Sequence, residues 1–240
     1  MNMTGLAPLC AAALVTFGVS QAGALPLTAG DTIAMTATTV AETPELAGSV
    51  VNDDLIFADL DSADLFVAGY NVQNRVVDSA LLETLIFGPR LRDPVNTLGT
   101  VGILYIDGFS ISGYGDFAVD ASYRTDGLGD VGPTSASRSA DGDTLTFDFG
   151  FPMVNHYLAE EVHQTSYFLS LVTDATAFEN TGIMTIFGRG SLDPTTRIEV
   201  QVGGIAVPVA APAVPLPASA FLLIGALGGV AGMKRRKRRG

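Results

Sequence analysis

The 240-residue chain has one cysteine, Cys10, no tryptophan, and no lysine before position 234. Cys10 falls in an N-terminal segment expected to be cleaved. The mature protein then has no thiol, which excludes disulfides and cysteine catalysis and leaves its stability to burial alone. With no lysine outside the last seven residues, neither a Schiff base nor a lysine general base is available, and no G-x-S-x-G elbow occurs. The missing tryptophan removes the best platform for stacking on sugars, a role for which only six tyrosines remain. Long apolar runs are absent except at the two ends.

Charge is divided as unevenly as hydrophobicity. All 25 acidic residues lie between Asp31 and Glu199, while six of the 13 basic residues stand in Lys234 to Arg239. Between the ends, seven arginines (Arg75, Arg90, Arg92, Arg124, Arg138, Arg189, Arg197) face those 25 acids, a balance of −18. Such a body repels the phosphates of nucleic acids and is expected to have no nucleic-acid partner.

At the N-terminus an apolar stretch from Leu6 to Val19 is followed by Ala22-Gly23-Ala24, an A-x-A site for leader peptidase, so residues 1–24 read as a secretory signal peptide. Three pieces adjoin at the C-terminus. Val214-Pro215-Leu216-Pro217-Ala218 comes first, then the uncharged run Ser219 to Met233, then Lys234-Arg235-Arg236-Lys237-Arg238-Arg239. Counted from Pro217, the apolar part spans about 25 Å as a helix, enough for a thin bilayer. The six cations stop transfer and hold the C-terminus in the cytoplasm, which puts the rest of the chain outside. Gly225 and Gly229, like Gly228 and Gly232, spell G-x-x-x-G, a spacing frequent by chance in Gly-rich segments.

This three-part tail resembles the PEP-CTERM sorting signal in its Val-Pro-Leu-Pro-Ala variant, with Leu216 standing where the commonest form has glutamate. The resemblance covers residues 214–240. It implies recognition by an exosortase, a membrane-embedded thiol transpeptidase-like enzyme, and cleavage near Val214 to Ala218. It also implies an association with the extracellular polysaccharide and biofilm matrix of Gram-negative bacteria. Pro215 and Pro217 fit this reading, because prolines keep the backbone extended at the membrane edge and open to an enzyme.

Between the ends the pattern is apolar–polar alternation broken by Gly, Asp, Asn and Pro, the signature of strands and turns. Residues 144–149 and 197–202 are the clearest cases. Further strands are expected near 32–40, 64–72, 102–106, 117–123, 166–173 and 182–187, giving an antiparallel β-sandwich, jelly-roll-like, over residues 25–203. One short helix is predicted across Val76 to Ile86, closed by Gly88 and Pro89. Residues 125–143 are expected to form a long exposed loop. Residues 204–213, rich in Ala, Val and Pro, are expected to form an extended stalk below the domain.

Chemical motifs are few. Gly127-Leu128-Gly129-Asp130-Val131-Gly132 has the dinucleotide-binding spelling, but no strand–turn–helix context surrounds it. Asp59, Asp61 and Asp64 begin like a calcium loop without its glycine and glutamate. Asp126, Asp130, Asp141 and Asp143 form a second acidic group, and solvated turn aspartates are the default explanation of both. These seven are the calcium candidates; no other cofactor is expected. His156, Glu160 and His163 would share one helical face but match no metal motif. With 25 acids, carboxylate pairs for glycoside hydrolysis are uninformative. The expected function is that of an exported, non-enzymatic surface or matrix protein, with a calcium- or glycan-binding adhesion module, an exopolysaccharide its partner, as the alternative.

Overall fold

The computed structural model describes residues 23–60, 68–96, 102–156, 161–191 and 193–211. They form a sandwich of two sheets. The first contains β1 (Leu25–Pro26), β3 (Ala37–Thr38), β4 (Gly48–Asp59), β5 (Ala68–Ser79), β6 (Leu85–Asn96), β8 (Val119–Arg124) and β11 (Phe168–Thr173), in the order β1-β8-β11-β6-β5-β4 with β3 also on β8. The second contains β2 (Thr32–Ala34), β7 (Ile103–Ser112), β9 (Ser135–Arg138), β10 (Thr144–His156), β12 (Ala177–Gly190) and β13 (Arg197–Val209), in the order β13-β12-β7-β10-β9-β2. Every pairing is antiparallel except β3 with β8. No helix of the described residues is long and apolar enough to cross a membrane. The expected signal segment, apart from Gly23 and Ala24, and the whole sorting tail lie outside the described residues.

Alternation explains the core. In β7 the buried Leu104, Ile106, Phe109 and Ile111 sit among half-exposed neighbours, and in β10 Leu145, Phe147 and Met153 do the same. Val72, Val76, Phe87, Leu91, Leu169 and Leu171 meet them from the first sheet. Phe109 and Phe147 pack with ring centroids 5.4 Å apart, and Phe87 sets its edge against Tyr114 at 5.9 Å. Fully burying one such side chain stabilises by about 1.5–3 kcal/mol. A cavity left by Phe109→Ala in the middle of this layer costs about 3–5 kcal/mol.

The helix predicted across Val76 to Ile86 is not there. Val76 and Val77 lie in β5, which ends at Ser79, Ala80 to Thr84 make a turn closed by Glu83 N–H donating to Ser79 O at 2.9 Å, and Leu85 begins β6. Apolar residues fall on both faces of this hairpin. Val76, Leu85 and Phe87 enter the main core, while Val77 and Ile86 form a second apolar cluster on the outer face with Leu46, from the 3-10 turn at Pro44–Leu46. A strand pair covered on both sides loses its period of two and imitates helical spacing. Gly88 and Pro89 then lie inside a central strand.

Two other expectations change. The segment 204–213 is not all stalk, because β13 continues to Val209 with Ile205, Ala206 and Val207 buried. The buried Asn74 of β5 clamps it across the sandwich, donating to Gly204 O at 3.1 Å and accepting from Ala206 N–H at 2.9 Å. Pro208 is tolerated because β13 is an edge strand. The loop expected at 125–143 contains β9, whose Ala136 and Arg138 are buried. Arg138 donates from Nε to Gly142 O at 2.7 Å, from Nη1 to Leu27 O at 3.1 Å, and from Nη2 to the carbonyls of Tyr114 and Phe117, each at 2.7 Å.

Candidate functional site

The outer face of the first sheet follows from the same alternation. With Val72, Asn74 and Val76 turned inward, Gln73, Arg75 and Val77 of β5 turn out. On β6 the outward residues are Ile86, Gly88, Arg90 and Arg92, and on β11 they are Phe168 and Ser170. The ladder between β6 and β11 stops at Leu171↔Phe87, since Pro89 has no N–H to give. Beyond it Leu91 N–H donates to Ser166 Oγ at 2.8 Å instead. A cavity of about 240 Å³ lies on this face, walled by Leu46 on one side and by Gly127 and Leu128 on the other.

Four of the seven arginines before the tail line that cavity: Arg75, Arg90, Arg92 and Arg124. Three have a carboxylate. Arg75 Nη2 lies 2.8 Å from Asp53 Oδ2, Arg92 Nε 2.7 Å from Asp93 Oδ2, and Arg124 Nε 2.9 Å from Asp126 Oδ1. The Arg92 contact is an ion pair whose angle does not make a hydrogen bond, so its buried Nε has no acceptor. Hydrogen bonds from Arg75 hold the Asp53 carboxyl below its ordinary range, helped by Gln73 against the opposing effect of burial. Arg124 does the same for Asp126.

Arg90 differs from the other three. It is 3% exposed and has no carboxylate partner; Nε donates to Gln73 Oε1 at 2.8 Å and Nη1 to Leu128 O at 2.7 Å. Burial lowers its pKa, the positive charges of Arg92 and Arg75 lower it further, and the negative charges of Asp93 and Asp53 act the other way. Its guanidinium stacks 4.4 Å from the Phe168 ring centroid, and that of Arg75 lies 4.2 Å from the same ring. Beside Phe168, the Ser170 hydroxyl is buried and has no hydrogen-bond partner. The cavity is thus lined by four arginines, three of them paired with carboxylates that lie outside its lining, and by one unsatisfied hydroxyl.

The calcium candidates do not converge. Asp126 is held by Arg124 and accepts Val40 N–H at 2.9 Å; Asp130 accepts the N–H and hydroxyl of Thr165 at 2.8 and 3.0 Å. Asp141 accepts Asp143 N–H at 3.1 Å and Asp143 accepts Gly113 N–H at 3.2 Å, both as turn residues. Asp59 ends β4, and Asp61 and Asp64 lie outside the described residues. Among the described residues no three His, Cys, Asp or Glu side chains gather as a metal site would need. His156 closes β10 and His163 bridges back to Asn155 with Nδ1 2.8 Å from its Oδ1, so these two share no helical face; Glu160 lies outside the described residues. The glycines of the dinucleotide-like spelling have packing roles. A Cβ at Gly129 would stand 2.7 Å from the Ser166–Tyr167 backbone, and one at Gly132 2.4 Å from the Tyr123 ring.

Compared with known protein families, curated proteins and solved structures, the chain matches none. The arginine cavity was not anticipated from sequence. Its signal was Gln73-x-Arg75, Arg90-x-Arg92 and Phe168-x-Ser170, three period-two pairs that share a face only once 76–86 is read as a hairpin.

Proposed function

We propose that this chain is an exported, non-enzymatic surface or matrix protein. In this reading leader peptidase removes residues 1–24, and an exosortase-type enzyme processes the tail at Val214 to Ala218. Until then a helix over the apolar run holds the precursor in the membrane, with Lys234 to Arg239 in the cytoplasm. A jelly-roll-like sandwich is then displayed at the cell envelope or in the biofilm matrix.

One observation carries the reading. The sandwich fills the interval between the two signals: β1 begins at Leu25, directly after Ala24, and β13 ends at Val209, with four residues between it and Val214. Anything trimmed at either signal leaves the two sheets whole. The test is the intact mass of the native protein from envelope and medium, beside a Pro215→Ala, Pro217→Ala form. Loss of both ends in the native protein, with the tail retained in the variant, is the expected result. An unprocessed tail in both forms would sink the sorting reading.

A further inference from the structure

We infer that the cavity on the outer face of the first sheet is a binding site for a compact organic monocarboxylate, gripped by Arg90 and Ser170. The inference goes beyond the sorting reading and does not depend on it: tail processing can fail while the cavity binds, and the reverse.

The argument begins with what each arginine already has. Arg75, Arg92 and Arg124 are matched one to one by Asp53, Asp93 and Asp126. On the second sheet Arg189 pairs with Asp107 and Arg197 with Glu199. Arg138 has no carboxylate but is satisfied by four carbonyls. Arg90 alone is buried with two neutral acceptors, and no described residue accepts from its Nη2. A buried guanidinium without a counter-ion is costly, and a planar anion on its free edge offsets that cost.

The hydroxyl of Ser170 gives a second, independent sign. It is 1% exposed, lines the same cavity and donates to nothing. Unmade hydrogen bonds of buried polar groups are expensive, and a ligand oxygen would complete this one.

Charge and size narrow the class. The local balance of four cations and three anions leaves one positive charge, which suits a monoanion. A dianion such as phosphate would exceed that single net charge, since Asp53, Asp93 and Asp126 already neutralise three of the arginines, inside a domain at −18 before the tail. A volume of about 240 Å³, that of roughly eight liquid waters, admits one ring-sized molecule and no oligomer. Leu46, Val77, Ile86 and Leu128 supply an apolar wall for its carbon part.

The test is calorimetric titration of the full-length chain in neutral detergent, at pH 7 and low ionic strength. The ligands are D-glucuronate and benzoate, their uncharged counterparts D-glucose and benzamide, and inorganic phosphate. At least one acid is expected to bind one to one, with its neutral counterpart and phosphate about tenfold weaker or more; which acid binds better tells a sugar acid from an apolar one. Ser170→Ala, which removes an unsatisfied oxygen and keeps the fold, should weaken that acid about tenfold. Ser122→Ala, which removes another unpartnered hydroxyl, directly across the ladder and outside the cavity lining, should leave it within about twofold. Failure of both acids, equal binding by a neutral counterpart or by phosphate, or full affinity in Ser170→Ala would each overturn the assignment.

Discussion

The two outer faces of the sandwich use the same residue type to opposite effect. On the second sheet Arg189 and Arg197 remain more than a third exposed, each paired with an acid and laid over an aromatic ring: Arg189 5.7 Å from the centroid of Tyr105, Arg197 4.3 Å from that of Phe187. The rest of that face is largely Ser and Thr: Ser110, Ser112, Thr144, Thr146 and Thr185. On the first sheet the 3-10 turn and the loop at Leu128 rise around the face and bury part of it, so Arg90 loses water without gaining a counter-ion. What separates a solvated ion pair from a candidate binding site is the wall around the arginine, not the arginine itself.

Arg138 belongs to neither face and sets the upper end of the scale. Arg138→Met should cost about 3 kcal/mol, read as a lower urea midpoint, because four carbonyls lose their donor at once. Lysine should not rescue it, since one ammonium cannot reproduce the fork.

Next come the glycines of the two faces. A Cβ at Gly108 would stand 2.3 Å from Phe147 O and 2.8 Å from the Phe187 ring, whereas one at Gly88 would meet Leu169 O at 3.0 Å and little else. Gly108→Ala is expected to cost about 2–3 kcal/mol and Gly88→Ala about 1 kcal/mol, by chemical denaturation. Equal costs would mean that the first face is as tightly covered as the second.

Acid sharpens the comparison. Asp53 and Asp126 have lowered pKa values, so their stabilisation is complete above the unfolded carboxyl value of 3.8 and is lost as pH falls through the folded value. Asp53→Asn should therefore destabilise by about 1 kcal/mol at pH 7 and progressively less below pH 4, both groups being partly exposed. Asp120 runs the other way. Burial raises its pKa, so its ionised form weakens the fold at neutral pH and protonation restores stability as pH falls. Asp120→Asn should stabilise by a few tenths of a kcal/mol at pH 7, and its advantage should vanish in acid. Smallest of all, Arg197→Ala should change stability by no more than about 0.5 kcal/mol, with a weak salt dependence.

How far the sequence could be read depended on whether one face or two were covered. Residues 144–149 and 197–202 alternate because one face meets the core and the other meets water, and both are strands. Val76 to Ile86 misled because the outer cluster around Leu46 buries Val77 and Ile86 as well. Residues 204–209 misled for a related reason: Ile205, Ala206 and Val207 are consecutive buried residues in a strand clamped by Asn74, and consecutive apolar residues next to proline read as linker. The cavity was hidden by the first of these errors. Arg90 and Arg92 share a face only on a strand, and Leu128 reaches them from a loop whose position no local pattern encodes.

The Asn74 clamp has a mechanical meaning. Asn74 sits between Gln73 and Arg75, which line the cavity, and its side chain grips Gly204 and Ala206 near the end of β13. A pull on the chain beyond Val209 runs from β13 into β5 through two hydrogen bonds and the apolar layer between the sheets. The rungs from Ala177↔Val209 to Arg189↔Arg197 tie β13 to β12 at the same time. Tension on β13 is therefore shared between its ladder with β12 and a side-chain clamp in the middle of β5.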